Sequence, residues 1–155
     1  MNWLDKVDIL FIFEIIIFLN EIYFKKGKNE ESNAAEFFSL QLIKETKEMY
    51  VFSVIFPQAS KNIYGGVQGG MISAAMDEAT FVSILRSQEN IKKVSSTNHH
   101  VLFHKPVLLG ENKIETKFKK IGKRVINIEG NIFSADGELA ATLIHSTSII
   151  RSSEG

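Results

Sequence analysis

The sequence predicts an α+β domain in which one buried helix lies against an antiparallel sheet. Three observations carry that reading. Two segments between Phe38 and Phe56 have the alternation and the β-branched and aromatic content of strands. Met71 to Leu85 is apolar around most of its circumference, the pattern of a helix enclosed by other structure. Four long extended segments follow, with marked turns and no fixed-period repeat. With 155 residues, 45% hydrophobic and 23% charged, the chain can bury one core and is too short for two ordinary domains.

The chain opens on an apolar arm. Ile9 to Phe24 is interrupted only by Glu14, Asn20 and Glu21, and Lys25, Lys26 and Lys28 follow. As a helix this segment reaches about 24 Å, less than the roughly 30 Å of membrane hydrocarbon, and Glu14 would sit near its middle. Asp5 and Asp8 stand where a secretory leader carries basic residues. Helical steps of 100° scatter the polar positions instead of gathering them on one face, so the expected structure is a helix buried against this domain or a partner subunit. Lys28 to Ala34 is polar and reads as a linker, which divides the chain into an arm over 1–34 and a globular domain over 35–155.

In the globular part, Phe38, Leu40 and Leu42 alternate with Ser39, Gln41 and Ile43, and Tyr50 to Phe56 forms the second strand after a connection near Glu45 to Glu48. Pro57 to Val67 is a loop ending at Gln68-Gly69-Gly70, where the helix begins. Ser73, Asp77 and Thr80 fall on one stripe of that helix. The remaining strands are Val94 to Phe103, Asn112 to Lys119, Arg124 to Phe133 and Glu138 to Ile150. Pro106 and Gly110 end the first of them, and Gly122 and Gly137 are expected to supply positive φ in the hairpins between the others.

Composition narrows the function. Eighteen basic residues balance eighteen acidic ones, so no net field attracts nucleic acid. The absence of cysteine excludes a disulfide framework, a thiolate nucleophile and Cys-ligated zinc, and the default location is the cytoplasm. No Walker loop, dinucleotide fingerprint or serine nucleophile elbow is present, and no cofactor is expected. His99, His100 and His104 invite a metal reading, but His100 and His104 are about 13 Å apart along a strand, so no metal site is expected from them.

The helix start carries the chemistry. Backbone N–H groups at Gly69 and Gly70 lack intrahelical partners at the positive end of the dipole, and glycine leaves the backbone open to a ligand. A carbonyl oxygen there would be polarised by donors that each contribute about 3 kcal/mol to an oxyanion. Asp77, among Ala74, Ala75, Met76 and Phe81, is the candidate carboxylate, as nucleophile or as base toward water, and desolvation should favour its neutral form. Eight helical steps separate Gly69 from Asp77 by about 12 Å, too far for both to reach one carbonyl, so joint use requires Gly69 of one subunit and Asp77 of another. Free sheet edges point the same way, toward a homodimer or a dimer of dimers.

These residues resemble the hotdog-fold thioesterases, particularly the phenylacetate-degradation and 4-hydroxybenzoyl-CoA types, over about residues 36 to 150. The family junction reads Asn, five residues, His-Gly-Gly, six residues, Asp; this chain has Asn62, Gln68-Gly69-Gly70 and Asp77 at the same spacing. Pro106 to Gly110, Gly122-Lys123-Arg124 and Asp136-Gly137 match the family's later elements in order. The resemblance implies an antiparallel sheet wrapped round a central helix, and an acyl-CoA thioesterase acting on a CoA or acyl-carrier-protein thioester. It implies that Asn62 orients the carbonyl or the water, against the plainer reading of a turn former, and that Ser96 lies near the water. Lys105, Lys123 and Arg124 are candidates for the CoA phosphates, against the plainer reading of solvated turns. Gln68 departs from the family: it forms hydrogen bonds but carries no proton, so any acid-base role of the usual histidine is lost there. That departure favours the alternative, a non-catalytic acyl-thioester-binding dimer.

Overall fold

The computed structural model describes residues 32–152. The predicted arm over 1–34 lies almost wholly outside the described residues. A short helix α1 (Asn33–Phe37) leads into strands β1 (Gln41–Glu45) and β2 (Met49–Phe56), a 3-10 turn (Gln58–Ser60), the long helix α2 (Gly69–Ser87), and strands β3 (Ile91–Phe103), β4 (Gly110–Ile121), β5 (Val125–Phe133) and β6 (Leu139–Arg151). The strands form one antiparallel sheet in the order β1-β2-β4-β5-β6-β3, which leaves β1 and β3 at its edges.

The buried face of the sheet follows from strand alternation. Ile126, Ile128, Gly130 and Ile132 of β5 are buried, as are Leu143, His145, Thr147 and Ile149 of β6. Helix α2 crosses this face and buries Ile72, Ala75, Met76, Ala79, Thr80, Ser83 and Ile84. Small residues allow the approach: a Cβ on Gly130 would stand 3.4 Å from the Thr80 methyl. The two buried helix hydroxyls are satisfied: Ser83 Oγ donates to the Ala79 carbonyl at 2.7 Å and pairs with Thr116 Oγ1 at 2.7 Å, and Thr80 Oγ1 donates to the Met76 and Asp77 carbonyls at 3.0 and 2.8 Å. Phe38, Phe52 and Phe56 complete the core at one end of the helix, and Ile84, Ile126, Ile128 and Ile149 form a second cluster at the other.

Two local expectations are corrected. The alternation from Phe38 to Ile43 is not one strand: Asn33 and Ala34, read as linker, begin α1, and Ser39 reverses the chain at φ 44° before β1. Phe38 and Leu40 are both buried from this capped turn, which mimics a period of two. Gly137 does have positive φ (82°), but Gly122 does not. Gly122 is required by close approach instead, since a Cβ there would lie 2.7 Å from the Val125 carbonyl oxygen. Among the described residues no helix is long and apolar enough to cross a membrane.

Candidate active site

Helix α2 starts where Gln68 turns the chain. Its backbone is extended (φ −69°, ψ 134°), and its side-chain Oε1 accepts from the Met71 amide at 3.0 Å. Glutamine is an uncommon cap, and it takes up one of the first-turn donors that would otherwise be orphaned. Gln68→Ala is expected to cost about 1 kcal/mol, or a Tm drop of roughly 2–4 °C by thermal melting. Among the described hydrogen bonds none uses the N–H of Gly69 or Gly70, so the positive end of the helix retains two free donors. The loop before it is organised by Asn62, whose Oδ1 accepts from Tyr64 and Gly66 amides (2.9 and 3.1 Å) and whose Nδ2 donates to the Val67 carbonyl (3.1 Å).

Two turns on, Asp77 is half-exposed at the flank of α2, while Ala75 and Met76 turn inward. The enclosure expected from its apolar neighbours is therefore not supplied by the described residues of one chain. Its Oδ1 lies 3.3 Å from His99 Nε2 and 3.6 Å from His145 Nε2. His99 on β3 and His145 on β6 are directly paired across the sheet, with ring centroids 4.6 Å apart at 82°. His145 is 1% exposed; its Nδ1 lies 2.8 Å from Thr80 Oγ1, and its Nε2 lies 2.9 Å from Ser96 Oγ. The Thr80 hydroxyl places its single proton on the Met76 and Asp77 carbonyls (3.0 and 2.8 Å), so it accepts from His145 Nδ1–H. That tautomer leaves the Nε2 lone pair facing Ser96 and Asp77.

A β-bulge makes the cluster. Ser96 and His99 are three residues apart and would point to opposite faces of a regular strand. The register shift between Ser96 and Asn98 turns both toward the helix, so Ser96 stands opposite Thr147 and His99 opposite His145. Asp77, His99 and His145 thereby offer three ligand atoms within 4.8 Å of one another, the only such grouping of His and carboxylates found among the described residues. The expectation from His100 and His104 considered spacing along one strand; the relevant pair spans two.

Burial pushes the His145 imidazole down to about 4; the Asp77 carboxylate acts in the opposite direction and His99 reinforces the fall. The unfolded chain then binds more protons than the folded one below an ordinary value of 6.5, so stability is fully present above that pH and falls as pH drops toward 4. The loss reaches roughly 3 kcal/mol. Denaturant midpoints followed against pH should show this slope, and His145→Asn, which cannot charge, should flatten it.

Sequence comparison matches residues 64–141, half of the chain, to the family model described as the thioesterase superfamily. The chain belongs to the thioesterase superfamily. Solved structures show the same hotdog fold for this superfamily member. A phenylacetic acid degradation-related protein of Ralstonia eutropha JMP134 is 24% identical over 83% of this chain and 99% of its own, with a TM-score of 0.73. A Haemophilus influenzae thioesterase is 14% identical over 90% of this chain and 92% of its own, TM-score 0.72. A Streptococcus pneumoniae thioesterase solved with coenzyme A is 13% identical over 77% of this chain and 92% of its own, TM-score 0.68. No curated protein matches the chain.

Within this thioesterase-superfamily chain, the structure groups Asp77 with Ser96 and places Gln68, Gly69 and Gly70 together at the helix start. The basic candidates are separated. Lys105 follows β3 and is ion-paired with Glu138, whereas Lys123 and Arg124 form the β4–β5 turn. The Lys105 amide bonds to the Ala140 carbonyl and the Ile149 amide to the Arg124 carbonyl, which sets the two places about 30 Å apart along β6. His145 is not singled out from sequence, and His99 is weighed there only as a metal ligand beside His100 and His104 and set aside. The signal for His145 was present: it occupies an inward position between Leu143 and Thr147 in an otherwise apolar stripe. His99 had no such signal, because its facing depends on the bulge.

Proposed function

We propose that the protein is an acyl-CoA thioesterase whose active site is shared between two subunits. The amides of Gly69 and Gly70 polarise the thioester carbonyl, and Asp77 of the partner subunit drives the attack that releases the thiol. The observation that carries this reading is Asp77, held by its Oδ1 beside His99 and His145 on the same helix that begins with two unengaged amides. Asp77 is the one group at the site able to supply a full negative charge near a carbonyl carbon; Ser96, donating to His145 Nε2, fixes the imidazole and offers its oxygen to the water. Asn62 holds the loop that presents the glycines. Gln68 holds the helix start in place of the family's usual histidine, so the loop can be positioned without a titrating group.

Two shallow depressions among the described residues, of about 550 and 460 Å³, lie away from both Gly69 and Asp77 and do not form an acyl pocket at the site. Strand β3, with its thirteen residues, runs beside α2 as an edge of the sheet among the described residues: His99 lies 3.3 Å from Asp77, and Phe103 comes so near Gly69 that a Cβ there would lie 3.2 Å from its ring. Pairing of this edge with that of a second copy would remove the exposed backbone and bring the two halves of the site together. The second depression is lined by Lys123, Arg124 and Arg151, which makes that turn the better candidate for phosphates of coenzyme A, since Lys105 is already paired.

A panel of acyl-CoA and acyl-carrier-protein thioesters with free-thiol detection tests the proposal. Release of thiol from at least one member, by a protein that elutes as a dimer or tetramer, is expected. Tight binding without hydrolysis would instead support the binding-dimer reading, which Gln68 favours.

A further inference from the structure

We propose that Asp77, His99 and His145 form a binding site for one divalent transition-metal ion of the zinc class, and that an ion seated there withdraws Asp77 from hydrolysis. The inhibitory half rests on the hydrolytic role of Asp77; the binding half does not.

The donor positions are set by three separate elements, α2, β3 and β6, and the paired register of His99 with His145 holds the two imidazoles side by side. Zinc binds nitrogen at about 2.0–2.1 Å and carboxylate oxygen at about 2.0–2.2 Å, so tetrahedral ligand atoms sit about 3.4 Å apart. Asp77 Oδ1 already stands at 3.3 Å from one Nε2 and 3.6 Å from the other. The remaining edge, within 4.8 Å, closes by rotation of His99, whose side chain is 29% exposed on the edge strand.

The outer contacts match a metal-bound histidine. Nδ1–H of His145 donates to Thr80, which is itself anchored on helix carbonyls, and so Nε2 presents its lone pair into the cluster. In the metal-free protein the Nε2 lone pair accepts from Ser96 and stands 3.6 Å from Asp77 Oδ1; an incoming cation takes that lone pair in place of the Ser96 proton. Ser96 Oγ, 2.9 Å from the same Nε2, lies beside the fourth position, which it or a water would fill. Two imidazoles and one carboxylate select zinc, cobalt, nickel or copper; magnesium and calcium prefer all-oxygen sites. With Oδ1 on the ion, the carboxylate no longer accepts a proton from water or attacks a carbonyl.

The test uses the full chain, stripped with chelator. Titration with Co²⁺ should develop visible d–d absorption that saturates at one ion per subunit and is displaced by Zn²⁺. His99→Ala, at an exposed position that leaves the core intact, should weaken Zn²⁺ binding by roughly tenfold or more in calorimetry, and Asp77→Asn should do the same. Zn²⁺ should inhibit thioester hydrolysis with a midpoint matching the binding constant, chelator should restore the metal-free rate, and His99→Ala should shift the midpoint upward, each variant being normalised to its own metal-free rate. Absence of stoichiometric binding, or binding unchanged in both variants, would overturn the site; acceleration by Zn²⁺ would overturn the inhibitory role. If the metal binds and no thioester is hydrolysed, the hydrolytic reading fails and the site stands; if hydrolysis proceeds and no metal binds, the reverse holds.

Discussion

Asp77→Asn is expected to lower kcat by about 10²- to 10⁴-fold, the usual worth of a positioned proton acceptor. The substitution keeps the shape of the side chain and removes the charge. Asp77 is half-exposed and outside the core, so the fold should survive, and an unchanged melting profile would separate lost chemistry from lost structure. Its neighbours sharpen the expectation. Asp77 is the only carboxylate of the Asp77, His99 and His145 cluster, so no second anion there replaces it when it is neutralised. A variant that folds and retains the wild-type rate would remove Asp77 from the mechanism.

Gly69→Pro should lower kcat by about 10²- to 10³-fold, the cost of losing one oxyanion donor. Proline is suited to this position. Gly69 is the first residue of α2, where proline is favoured because the missing N–H has no helical partner. Gln68 already has the extended backbone that a residue before proline requires. The added Cβ lies nearest the ring of Phe103, at 3.2 Å, a half-exposed side chain that can move aside. Helix content and stability should therefore hold while the amide disappears. Gly69→Ala, which keeps the N–H, should cost less; equal losses in the two variants would mean that crowding, and not the donor, matters.

The sequence was most informative where physics is local. The glycine pair, the enclosed helix and the four long strands stand where periodicity and turn chemistry placed them, because each is determined by residues a few positions apart. The α1 turn escaped because Phe38 and Leu40 are buried in turn by a helix end and a strand start, which alternation cannot separate from one strand. Asp77 and Ser96 were both among the residues singled out, yet their relation was not. It depends on a bulge after Ser96, on the β3–β6 pairing and on a histidine forty-nine residues downstream of Ser96, and none of these is encoded in local spacing. Gln68 shows the opposite case: the departure from the family histidine was plain, but its capping bond to Met71 became visible only with the backbone in place.

The sharing of one active site between subunits is tested most directly by complementation. Gly69→Pro and Asp77→Asn chains, each nearly inactive alone, are unfolded, mixed in equal amounts and refolded together. If Gly69 of one subunit works with Asp77 of the partner subunit, each mixed dimer has one intact site and one doubly damaged site, and random assortment should restore about a quarter of wild-type activity per dimer. If the mixture is no more active than its two components although mixed dimers form, Gly69 and Asp77 do not act across the interface, and the composite site is wrong.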